Sequence, residues 1–93
     1  MITVTKIFTR LSEDTDFYSN SNFNEYLKSN YVDKGKIQVS TKVNPLTREV
    51  KMVMSEGVFA EFNADPAVQM YGTARDAHNL ANNIQVTSNQ EVA

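Results

Sequence analysis

Cysteine and tryptophan are absent from this 93-residue chain, histidine occurs once and glycine three times. Without cysteine there is no disulfide, iron–sulfur cluster, thiolate zinc site or thiol nucleophile. With His78 as the only histidine, a three-histidine metal site is impossible within one chain, and any Ser-His-Asp triad would have to run through it. The glycines Gly35, Gly57 and Gly72 are isolated, so no phosphate-cradling loop exists, and a collagen-like chain is excluded. No apolar run approaches the roughly 20 residues that cross a bilayer. Basic excess is missing too: nine Lys and Arg face eleven Asp and Glu, for a net charge of -2. The lysines are scattered, which disfavours a nucleic-acid binder, since such proteins displace phosphate counterions with clustered cations. The first six residues lack the basic start and apolar stretch of a signal peptide, and a cytoplasmic setting suits the lack of cysteine.

What is present suffices for one domain, because a chain of this size buries roughly 60–65% of its unfolded surface. Residues 2–9 are rich in β-branched side chains and read as a strand, with Ile2, Val4 and Phe8 on one face and Ile7 on the other. The acidic stretch Ser12-Glu13-Asp14-Thr15-Asp16 reads as a surface loop. Asn22, three residues before Glu25, has capping-box spacing, and Phe23, Tyr26, Leu27 and Tyr31 mark one face of a helix that stops at Gly35. In residues 36–43, Ile37, Val39, Thr41 and Val43 alternate with polar residues. Asn44-Pro45-Leu46-Thr47 is a turn, and the return strand 48–55 carries Val50, Met52 and Met54 on one face. A short helix with Val58, Phe59 and Phe62 follows. Asp65-Pro66 breaks it and starts another, with Asp65 as the cap and Pro66 at the first helical position. Small residues Ala67, Ala74, Ala77 and Ala81 predict close approach of this second helix to the sheet or to a partner helix. Residues 84–87 form a short last strand. The prediction is therefore an α+β, ferredoxin-like β-α-β-β-α-β domain over residues 1–88, with a flexible tail at 89–93. Its four-stranded antiparallel sheet carries helices on one face.

The order of elements, and the run from Lys51-Met52-Val53-Met54-Ser55 through Phe59-Ala60-Glu61-Phe62 to Asp65-Pro66, resembles the dimeric α+β barrel family. That family includes small antibiotic-biosynthesis-type monooxygenases and related stress-response proteins. In that family two sheets pack face to face across a dimer axis, and a sheet with helices on one side leaves its other face bare. A homodimer is therefore expected in which a second copy covers the outer sheet face, where Ile7, Val53 and Leu46 would add apolar area, or a strand edge. Some members bind a small molecule beside the helices, several with Trp, Asn and His around it. This chain has no Trp and carries its His far along the last helix, so the resemblance extends to the fold and not to the chemistry. The small size, acidic balance and wealth of Asn, Ser and Thr also resemble accessory proteins of large tailed phages.

Few residues suggest chemistry. No carboxylate stands three or four residues from His78, which reads as a partly buried or interfacial histidine with a backbone or water partner. Tyr71, Arg75 and His78 form a polar–aromatic stripe that could receive a carboxylate or phosphate, but the favoured reading is a helix edge whose long side chains cover apolar surface. Glu13, Asp14 and Asp16 lack the glycine and terminal glutamate of a calcium loop. With no nucleophile–base pair, metal cluster or nucleotide loop, no catalytic residue, metal or cofactor is assigned. The first functional expectation is a non-enzymatic binding or assembly protein with a protein partner. The alternative is a cofactor-free monooxygenase or small-molecule binder, with a pocket lined by Phe59, Phe62, Met70, Tyr71 and His78. A large pocket faced by His78 favours the enzyme, and a filled interior favours assembly.

Overall fold

Alternation of apolar and polar residues builds the sheet. In the computed structural model, which describes residues 1–93, the strands are β1 (Ile2–Thr9), β2 (Ile37–Val43), β3 (Thr47–Met54) and β4 (Gln85–Val92). They form one antiparallel sheet in the order β2-β3-β1-β4. Val4 stands opposite Met52, and Phe8 opposite Arg48 and Val86. Because side chains alternate across a sheet, one face of the central strands carries Ile2, Val4, Lys6 and Phe8 with Arg48, Val50, Met52 and Met54. The opposite face is polar: threonines, Glu49 and Lys51 surround Ile7 and Val53. Leu46 lies in the β2–β3 turn and is exposed.

Helices α1 (Ser21–Leu27), α2 (Glu56–Ala64) and α3 (Pro66–Ala81) cover the first face, and α1 runs on as a π-helical turn, Lys28–Val32. The α+β class and the antiparallel sheet are as expected. The element order is not the simple β-α-β-β-α-β, because the second helical segment comprises two helices. Asp65 ends α2 and caps α3, its Oδ1 accepting from the Ala67 amide at 2.9 Å, with Pro66 first in the new helix. Gly35 has φ 71°, the left-handed value that glycine adopts without steric cost.

Three local expectations are corrected. The cap of α1 is Asn20, not Asn22; its Oδ1 accepts from the Phe23 amide at 3.0 Å. Strand β4 reaches Val92, so residues 89–92, expected in a flexible tail, pair with β1 over its full length. On α3, where approach to the sheet or to a partner helix is expected, Ala74, Ala77 and Ala81 are exposed, so the sheet half of that expectation is corrected.

The core is thin, with only seven of 93 residues buried. Its centre is Tyr31, Ile37 and Met54, with Tyr26, Leu27, Met52, Val58, Phe59 and Phe62 packed around it. No helix is long and apolar enough to cross a membrane.

Candidate functional site

The thin core has a direct cause. Between the helix layer and the sheet lies a cavity of about 580 Å³. Its floor is Val4, Phe8, Val50 and Met52 of the central strands, and its roof is Phe59, Phe62, Val68 and Tyr71 of α2 and α3. Phe17 and Tyr18, from the segment between β1 and α1, form a wall with Phe23.

Arg10 holds that wall in place. Its Nη1 donates to the Thr15 carbonyl at 2.8 Å, its Nε and Nη2 donate to the Pro45 carbonyl at 2.8 and 2.6 Å, and its guanidinium lies 4.6 Å from the Phe17 ring centre. Tyr71 stacks on Phe23 with ring centres 4.1 Å apart, and Tyr18 meets Tyr71 at 5.4 Å. These aromatic contacts close the layer over the cavity.

The charged groups in this apolar space are all of one sign. Lys6, Lys28, Arg48 and Arg75 line it, and no aspartate or glutamate does. The ion pairs of the chain are Lys28–Asp33, Lys36–Glu61 and Arg75–Asp76, so Lys6 and Arg48 have no carboxylate partner. Burial pushes the Lys6 ammonium below the usual lysine range, Arg75 pushes it further, and Asp76 opposes. Arg48 donates from Nη1 to the Tyr18 carbonyl at 3.3 Å, while its buried Nε has no partner. The Arg75 guanidinium lies 5.8 Å from the Tyr71 ring centre and 5.9 Å from that of Phe8. Asn79, one turn beyond Arg75, is 5% exposed, and its Nδ2 has no acceptor. Burial raises the Tyr71 phenol above its ordinary pKa, against the opposing charges of Arg75 and Arg48.

Of the residues singled out from sequence, Tyr71, Arg75, Phe59 and Phe62 meet at this cavity, while Met70 and His78 lie outside it. Met70 is 75% exposed on the outer side of α3. His78 Nε2 lies 2.7 Å from the Asp16 carbonyl and its ring packs beside Tyr18, so it secures the same wall segment as Arg10. That carbonyl requires a proton on Nε2, leaving Nδ1 to accept from Asn82 Nδ2 at 3.4 Å. Sequence reasoning missed Lys6, Arg48 and Asn79. The signal was there for two of them: Lys6 interrupts the apolar face Ile2, Val4, Phe8, and Arg48 extends the face Val50, Met52, Met54. No group of three or more His, Asp or Glu side chains is arranged to hold a metal ion. Comparison with known protein families gives no match, and comparison with curated proteins gives none either.

Proposed function

We propose that the protein binds a small, largely apolar molecule between its helix layer and its sheet. The cavity carries this reading. At about 580 Å³ it falls inside the range of ordinary small-molecule sites, and it combines aromatic walls with a few grouped polar atoms. The reading takes the domain as ferredoxin-like, which the β2-β3-β1-β4 order supports. Because His78 is engaged with the Asp16 carbonyl outside the cavity, the geometry favours binding over the monooxygenase alternative. The test is titration with the neutral fluorophore N-phenyl-1-naphthylamine. Saturable emission enhancement at one site per chain is expected, and Val50→Trp, which fills the floor, should abolish it while thermal unfolding stays cooperative. Linear, unsaturable emission, or enhancement indifferent to the Val50 change, would count against it.

A second reading, contact with another copy or a protein partner, is favoured by the outer side of α3. Met70, Ala74, Ala77 and Ala81 fall in one exposed helical stripe. Sedimentation at micromolar concentration reads this directly: a Met70→Glu change should shift a self-associating species to monomer.

A further inference from the structure

Resting on the cavity reading, we infer that the ligand carries a carboxylate, received at the Phe8 end of the cavity by Lys6, Arg48, Arg75 and Asn79. Sheet register places the first two. Arg48 stands opposite Phe8 on β3, and Lys6 is two residues before Phe8 on the same face, so the two cations are diagonal neighbours across adjacent strands. Arg75 comes down from α3 over the Phe8 ring, and Asn79 follows one helical turn later. All four line the same cavity.

Two of these side chains hold donors that the protein leaves unused. Asn79 Nδ2 and Arg48 Nε are buried and have no acceptor. A buried donor without a partner is costly, and a cluster of like charges in an apolar space is costlier still. The only carboxylate paired with the group is Asp76, which lies 3.3 Å from Arg75 Nη2 with its side chain 70% exposed. One anionic group supplied from outside would satisfy the free donors and offset the repulsion between Lys6 and Arg75 together. A carboxylate suits the planar donor fork of arginine, and the remaining walls are aliphatic and aromatic. The ligand class is therefore an amphipathic carboxylate, with an alkyl or aromatic body under Phe59, Phe62 and Tyr71.

Calorimetric titration of the full chain with decanoate and with decanol, both below aggregating concentrations, separates this inference from the reading beneath it. The two share a ten-carbon body and differ in the head group. Decanoate should bind at least about tenfold more tightly than decanol, the factor expected for charge-assisted hydrogen bonds. In Lys6→Met and Arg48→Met, which keep apolar bulk, the preference should shrink to about threefold or less while N-phenyl-1-naphthylamine still binds; Lys6→Arg should retain it. Equal affinity for the two molecules overturns the carboxylate site and leaves the apolar cavity standing. Binding of neither overturns both. A preference that survives in both methionine variants assigns the charge recognition elsewhere and overturns the proposal.

Discussion

The Asp65 carboxylate ties three segments of the fold together: α1, the π-helical turn and α3. Its Oδ1 caps α3, while its Oδ2 accepts from the Tyr26 and Tyr31 hydroxyls at 2.5 and 2.7 Å. Asp65→Ala removes the cap and strands the hydroxyl of buried Tyr31, so a loss of about 1–3 kcal/mol is expected in urea unfolding. Asp65→Asn, which keeps acceptor capacity, should lose less. The Tyr26 hydroxyl holds the Asp65 carboxyl below its ordinary pKa; partial burial opposes, and the Tyr31 hydroxyl and the helix amides add to the lowering. A depressed carboxyl stabilises the fold fully above its unfolded pKa of about 3.9 and loses that contribution as pH falls through the folded value. Acid unfolding below about pH 4 should therefore flatten in Asp65→Asn. Both tyrosines are shifted upward, Tyr26 first by its bond to Asp65 and Tyr31 first by burial. Their stabilisation is present below about pH 10 and lost as pH rises through the folded values, so alkaline titration should also weaken the fold. Lys6 works in the opposite sense. The fold disfavours its charge, so stability should rise as pH increases through its lowered pKa, and Lys6→Met should raise the melting temperature while weakening decanoate binding.

At the scale of elements, the strands and the Asp65-Pro66 break were legible because period-two alternation and proline geometry are local properties. The facing of α3 was not. Its small apolar residues Ala74, Ala77 and Ala81 line up with Met70 on the exposed side, while Val68, Tyr71, Gly72, Arg75 and Asn79 face the cavity. A helix over a charged binding space need not turn its most apolar stripe inward, and Asn79 stayed hidden for that reason; Lys6 and Arg48, on the strands, read as ordinary surface charges. The length of β4 was also hidden. Ser88, Asn89, Gln90 and Glu91 have weak strand preference, and it is pairing with the eight residues of β1 that extends them. Asn20 and Asn22 compete for one cap two residues apart, and only the fold selects between them. Gly72 lies inside α3, where a methyl group would meet Arg75 Nη2 at an ordinary 3.8 Å. Gly72→Ala should accordingly stabilise the chain by about 0.5–1 kcal/mol in thermal or urea unfolding.

The whole molecule divides into a well-bonded sheet and a lightly anchored cover. Neither α1 nor α2 has a buried residue, and α3 has only Asn79. Amide hydrogen exchange should find β1 and β3 most protected and the three helices opening at lower free energy, with decanoate slowing exchange in α3 above all. Exchange that is equally slow in α2 and β1 would contradict this division. One link between cover and sheet passes through the π-helical turn. There the Asp33 amide reaches back five residues to the Lys28 carbonyl at 2.8 Å, and the extra residue in the turn brings Tyr31 into the core beneath Asp65. A helix turns by about 100° per residue, so one residue fewer would swing Tyr31 out of its place. Ser29 is exposed and its identity matters little, yet its presence does. In genetic terms, codon 29 accepts missense changes and rejects in-frame deletion, whereas codon 31 tolerates neither: at Ser29 the gene specifies a length more strictly than it specifies a letter.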